Sequence, residues 1–219
     1  IREALSTSEL PIVAVDRVSR PKVEHERVVY FSVDFQNHAE INELATELIA
    51  QDAGESILVS TVGTFGHNYS EEQLSFGDIA QTIQVNLLGI TQLAYELCYH
   101  CVKENKRLRI IVVGSAAAFV GSRDIGYGIA KAGLNGLVLS LSKCFAQNNI
   151  TVIGVSPGIF ESPMSTAVAV NRQASAVGQT HLKRPGAISE IVNTILYAGL
   201  QAPDFMTGSL ININGGQYS

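Results

Sequence analysis

Six apolar runs recur along the chain, each closed by turn-forming residues: 11–16 (PIVAVD), 27–33 (RVVYFSV), 56–60 (SILVS), 108–115 (LRIIVVGS), 150–156 (ITVIGVS) and 209–214 (SLININ). Rich in Val and Ile, they predict β-strands. Between them the apolar spacing lengthens to that of a helix. Residues 38–51 follow Asn37, whose side chain suits an N-cap. A long helix is predicted over 78–104, with one stripe through Ile83, Leu87, Ile90, Ala94 and Leu97. Further helices are predicted over 126–147 and 187–199, and residues 1–6 read as the end of a helix. Strands alternating with helices imply a parallel sheet covered on both faces. The runs IIVV and VIGV are apolar without alternation, as doubly buried strands require. The predicted fold class is α/β, a doubly wound parallel sheet of Rossmann-like type, as one domain over residues 1–219.

In such a sheet, ligands bind beyond the carboxyl ends of the strands. Those ends deliver Asp16, Asp34, the segment Ser60-Thr61-Val62-Gly63, Ser115, and Pro157-Gly158 to one edge. Within the predicted helix 126–147, Tyr127 stands four residues before Lys131. That spacing puts both side chains on one face, one turn apart. An ammonium beside a phenol favours the phenolate and lowers its pKa, which suits proton transfer near neutral pH.

Composition narrows the field. A net charge of −5 argues against a nucleic-acid footprint. The run IIVVGSAAAFVG is too short to span a bilayer. Three cysteines in a chain of this length argue against a disulfide framework and for a reducing compartment, taken here as the cytoplasm. Cys98 and Cys101 fall inside the long helical pattern, which favours packing over a redox or metal role.

An ordered set of short motifs then resembles the short-chain dehydrogenase/reductase family, in its shorter single-domain branch and like its 3-oxoacyl thioester reductases. The set comprises Val85-Asn86 with Gly89, Gly114-Ser115, Tyr127 to Lys131 in YGIAKAG, Ser156-Pro157-Gly158, KRPGAISEI (183–191) and TGSLININGG (207–216). The resemblance implies a hydride-transferring oxidoreductase acting on a carbonyl or secondary alcohol. Tyr127 is then the general acid or base. Lys131 lowers its pKa and bonds the nicotinamide ribose, and Ser115 polarises the substrate carbonyl. Asn86 breaks its helix and holds a water that links Lys131 to solvent. Asp16 meets the adenosine ribose and favours NAD, while Arg17 beside it would attract a 2′-phosphate and leaves NADP open. Asp34 and Phe35 flank the adenine. Thr61, Val62, Gly63, Pro157, Gly158 and Ser162 complete the cofactor contacts.

Two departures stand out from the family pattern. Residues 60–63 keep only the glycine of the usual Asn-Asn-Ala-Gly, so Thr61 is expected to replace the asparagine contacts. The expected first strand and glycine-rich loop are absent, so the domain is expected to be N-terminally incomplete, with a further strand lying between 11–16 and 56–60. These departures support a rival reading, a non-catalytic dinucleotide-binding or scaffolding protein. Phe65, Phe119, Phe160 and Met164 are expected to line an apolar substrate pocket, with His67, Arg123, His181 and Lys183 as polar candidates. The partners expected are a small carbonyl or alcohol substrate and further copies of the chain, as a homotetramer or homodimer, with no nucleic acid and no membrane.

Overall fold

The computed structural model describes residue 6 and residues 11–17, 25–51, 54–65, 75–161 and 170–218, with the side chains of 170–172 set aside. All six expected strands form: β1 (Ile12–Asp16), β2 (Val28–Ser32), β3 (Glu55–Ser60), β4 (Arg107–Val113), β5 (Ile150–Pro157) and β6 (Leu210–Ile213). The helices are α1 (His38–Ala50), α2 (Phe76–Ile83), α3 (Gly89–Lys103), α4 (Ala117–Val120), α5 (Ile125–Phe145), α6 (Val170–Gln179) and α7 (Ile188–Leu196). Every strand pair is parallel, in two ladders, β1–β2 and β3–β4–β5–β6. Among the described residues β1 and β3 share no ladder, and it is on this that the expected intervening strand turns.

Alternation along the strands sorts side chains to two faces. Leu108, Ile110 and Val112 of β4, with Ile150 and Val152 of β5, pack against Ile41, Leu44, Ile90, Leu93, Leu134 and Val138 from α1, α3 and α5. Val15 and Phe31 join the same core, so one helix layer covers both ladders. On the opposite face Ile111, Ile153 and Val155 meet Ile195 of α7 together with Ala198 and Ala202. Arg109 occupies that second face and is buried. Its guanidinium donates to the carbonyls of Ala198 (3.0 Å) and Ala202 (2.6 Å) and to Asp204 (2.7 Å). It thereby satisfies carbonyls around the π-helical turn Tyr197–Gln201, where the regular helix ends.

The predicted helix over 78–104 is continuous in direction but contains a π-helical turn, Gln84–Leu88, with Asn86 at its middle. Gly89 follows it. A Cβ there would lie 2.7 Å from the Phe35 carbonyl, so only glycine lets α3 approach the end of β2 this closely. β4 stops at Val113, which leaves Gly114 and Ser115 in the turn beyond it. The single turn α4 and the helix α6 have no counterpart among the sequence expectations. Cys98 and Cys101 are buried in α3, and burial pushes the Cys98 thiol up to about 12 and raises Cys101 as well. Both thiols stay protonated at neutral pH and serve packing. No helix among the described residues is long and apolar enough to cross a membrane.

Candidate active site

The site is assembled at the carboxyl ends of β3, β4 and β5, roofed by the start of α5. Ser115 lies in the turn after β4. That turn is sewn to β5 by two backbone bonds, Gly114 N–H to the Val155 carbonyl (2.8 Å) and Ala116 N–H to the Pro157 carbonyl (2.7 Å). The Ser115 hydroxyl accepts the Ala117 N–H at 3.1 Å. α5 begins at Asp124, whose carboxylate accepts the Tyr127 N–H at 2.9 Å. This N-cap fixes the first turn of α5 and with it the direction of the Tyr127 ring.

Tyr127 is 9% exposed and Lys131 is 4% exposed, so both residues are largely removed from bulk water. The Lys131 ammonium lies 5.6 Å from the Tyr127 ring centroid and donates to the Val113 carbonyl at 3.2 Å. Burial lowers its pKa to about 8. Burial also raises the Tyr127 phenol, opposed by a hydrogen bond with the Ser115 hydroxyl and reinforced by the Asp124 carboxylate. The lowering expected from the Tyr–Lys spacing is not what the structure gives: the net shift is upward, with burial as its largest cause. The Phe65 ring packs on Tyr127 with centroids 4.6 Å apart and forms an apolar wall.

Asn86 is wholly buried. Its amide donates to the Thr64 and Thr82 carbonyls, both at 2.8 Å, and its oxygen accepts the Thr64 N–H at 2.8 Å. The contacts across the altered 60–63 segment thus run through the backbone of Thr64, while Thr61 is exposed at the end of β3. Gly63 lies inside this knot. A Cβ on it would stand 3.2 Å from Asn86 Oδ1 and 3.5 Å from Lys131 Nζ. The glycine keeps space open above the ammonium.

The remaining candidates spread along the same edge. Asp16 is half-buried at the end of β1, and its carbonyl accepts the Val33 N–H at 3.0 Å. The Asp34 carboxylate accepts the Gln36 N–H at 2.9 Å and its N–H donates to Glu40 at 2.8 Å, so it also shapes its own turn. Phe35 is buried in the core against Gly89, which commits its side chain to packing. Val62 packs partly buried at the core margin. Gly158 donates to the Ile213 carbonyl at 2.9 Å, and a Cβ there would lie 2.8 Å from Asn214 Cα. Ser162, His67 and Met164 lie outside the described residues. Sequence reasoning missed Thr64, the Val113 carbonyl and Asp124. Asp124 carries a legible signal, since an aspartate before an apolar helical run is an N-cap pattern.

The family model described as Enoyl-(Acyl carrier protein) reductase matches residues 12–218. The chain belongs to the short-chain dehydrogenase/reductase family. Members of this family are NAD(P)-dependent oxidoreductases. The chain is 31% identical to the 3-oxoacyl-[acyl-carrier-protein] reductase FabG of Escherichia coli (strain K12), over 80% of this chain and 72% of that protein. It is 27% identical to the reductase of the same name from Buchnera aphidicola subsp. Schizaphis graminum (strain Sg), over 86% of this chain and 77% of that one. A solved 4-hydroxyisoleucine dehydrogenase complexed with NADH superposes at a TM-score of 0.87, over 99% of this chain and 91% of its own, at 22% identity. That likeness shows the shared fold.

Within this family member, Lys131 makes a direct prediction. Its folded pKa of about 8 lies below the ordinary lysine value of 10.5. Between those values the unfolded chain binds a proton that the folded chain lacks, so stability rises with pH through that window. Below it the full cost of the buried charge is felt. Lys131→Met should therefore stabilise the protein by about 1–3 kcal/mol at pH 7. The gain should shrink as pH rises through the same window, read from denaturant midpoints. A variant less stable than the parent at pH 7, or a gain independent of pH, contradicts burial as the source.

Proposed function

We propose that the chain transfers a hydride between a nicotinamide dinucleotide and a carbonyl or secondary alcohol, with Tyr127 as the general acid in reduction and the base in oxidation. The observation that carries this reading is the convergence of the Ser115 hydroxyl, the Tyr127 phenol and the buried Lys131 ammonium at one sheet edge. The residues present fit the dinucleotide. A carboxylate, Asp16, stands at the end of β1 for the ribose hydroxyls, a cation stands at the other end, and Gly63 leaves above that cation the space a Cβ would fill. Asp34, Thr61, Val62, Pro157, Gly158 and Ser162 would complete the contacts, with the backbone at Phe35 facing the adenine. When bound, the nicotinamide supplies or accepts the hydride.

The protein's part is proton transfer and position. Ser115 donates a hydrogen bond to the substrate carbonyl oxygen and holds it beside Tyr127. As negative charge grows on that oxygen, the Tyr127 phenol gives up its proton, and an alcohol forms. The phenolate left behind is stabilised by the Lys131 ammonium beside the ring. The high resting pKa keeps the donor protonated until charge develops. Lys131 then passes a proton back. The Asn86 side chain is taken up by Thr64 and Thr82, which fixes the wall beside Lys131. Phe65 beside Tyr127 supports an apolar acyl substrate, and the relatives that are 3-oxoacyl reductases support 3-oxoacyl thioesters as the class.

The homo-oligomer belongs to the same proposal. Tyr95 and Tyr99 on α3 stack at 4.5 Å and are exposed, and Leu139 on α5 is 53% exposed. Such a face is what a two-fold partner would cover, in a homotetramer or homodimer. Light scattering at micromolar concentration should give a multiple of the 23.5 kDa chain; a monomer mass contradicts it.

For the chemistry, NADH fluorescence should report binding and a panel of 3-oxoacyl thioesters and simple ketones should report turnover. Tyr127→Phe should keep NADH binding while turnover falls at least about a hundredfold. Asp16→Ala should raise the use of NADPH relative to NADH. Near-normal turnover in Tyr127→Phe removes the tyrosine from its role. Binding of NADH without turnover of any substrate would favour a non-catalytic dinucleotide-binding protein.

A further inference from the structure

The segment that follows β6 runs back across the site and joins its two walls. The Gly215 carbonyl accepts the backbone N–H groups of His181 (2.8 Å) and Leu182 (3.3 Å). Gly216 has a φ of +80°, and a Cβ on it would lie 2.5 Å from His181 Nδ1, so a glycine is needed for the chain to pass. Gln217 Nε2 donates to Gln179 Oε1 at 3.1 Å. One side of the segment is thereby fastened to the wall that follows β5.

The other side is fastened to the turn that carries Ser115. The Tyr218 ring stacks on Phe119, with centroids 4.5 Å apart and planes 23° from parallel. Tyr218 is itself held at both ends. Its hydroxyl donates to Asn212 Oδ1 at 3.0 Å, and its carbonyl accepts from Asn214 Nδ2 at 3.0 Å. Phe119 belongs to α4, a helix of four residues whose first N–H groups are spent on Ser115: Ala117 N–H on the hydroxyl (3.1 Å) and Ala118 N–H on the carbonyl (3.0 Å). A single turn cannot hold its own shape in water. Phe119 is 45% exposed even with Tyr218 in place, and the stack adds to the two backbone bonds that hold this turn to β5. Asn214 and Gly215 also line a cleft of about 90 Å³ with Ile159, Phe160 and Leu182, on the same side of the sheet ends.

We infer that residues Asn214–Tyr218 form a strap that positions Ser115, acting through the Tyr218–Phe119 stack, and that closes the substrate side of the site against the 180–182 wall. This inference rests on the hydride-transfer reading for its kinetic consequence, but the strap itself is a structural relation that can be read without turnover. Tyr218 is a positioning residue. It touches the turn, and the turn presents the hydroxyl.

The test uses the full chain and four variants: Tyr218→Ala, Tyr218→Phe, Phe119→Ala and the double alanine variant. Tyr218→Ala should lower kcat on a 3-oxoacyl thioester about ten- to a hundredfold, with the NADH dissociation constant unchanged. Tyr218→Phe keeps the ring and should restore most of kcat. Phe119→Ala should match Tyr218→Ala, and the double variant should fall no further, since both remove one contact. Hydrogen exchange gives the readout independent of activity: amides of 115–120 should exchange faster in Tyr218→Ala, while those of β4 and β5 keep their protection. Unchanged kcat with unchanged exchange at 115–120 overturns the inference. So does a uniform rise in exchange across the whole sheet that Tyr218→Phe fails to reverse, because that is a general loss of stability. A parent protein that turns over no substrate sinks the hydride-transfer reading, and exchange at 115–120 still decides the strap.

Discussion

The site depends on one buried carboxamide. Asn86 is fully enclosed, and a primary amide in that position has to find partners for its donors and its acceptor. It finds them in the Thr64 N–H, the Thr64 carbonyl and the Thr82 carbonyl. The first two tie down the loop after β3. The third lies in the helical turn just before the π-helical segment, where the regular backbone ladder is interrupted. One side chain thus joins a sheet end to a helix that would otherwise pass it by. Gly63 is held between this knot and Lys131, where a Cβ would stand 3.5 Å from the buried ammonium.

The electrostatics follow from that packing. Lys131 is buried with a carbonyl for company rather than a carboxylate, so its charge is costly and its pKa falls. Tyr127 is buried beside it, and its pKa rises for the same reason acting on the opposite charge state. A shared lack of water thus pushes the two values apart, the ammonium downward and the phenol upward, each toward its neutral form. In such a setting a phenolate and a poorly solvated ammonium stabilise one another more than either is stabilised alone. The hydrogen bond with the Ser115 hydroxyl acts in the direction that favours the phenolate.

The fold was legible where periodicity is long and strong. The strands in IIVV and VIGV, and the helices over α1, α3 and α5, follow from burial patterns that survive without knowledge of their neighbours. α4 was not legible, because four residues are too few to show a period. α6 was not, because its run VNRQASAVGQ has little apolar content to place. At the site, Tyr127, Lys131, Ser115 and Asn86 were readable as side chains in an ordered motif set. Their partners were not, since the Thr64 amide group and the Val113 carbonyl are backbone atoms that every residue carries. The direction of the Tyr127 shift escaped for a related reason. Spacing gives the distance to Lys131, whereas burial depends on Phe65 and the rest of the roof. Phe35 illustrates the converse, a residue next to a plausible adenine contact whose side chain belongs to the core.

The account stands on the claim that Lys131 is a desolvated ammonium whose pKa is lowered to about 8. Lysine Cε resonances report this directly, because each titrates at the pKa of its own amine. A carbon-13 NMR titration of lysine-labelled protein should show one resonance moving with a midpoint at about 8 that is absent from Lys131→Met. A titration with no resonance at a midpoint near 8, or one in which that resonance persists in Lys131→Met, would mean that water reaches the Lys131 ammonium and would contradict the buried pair described here.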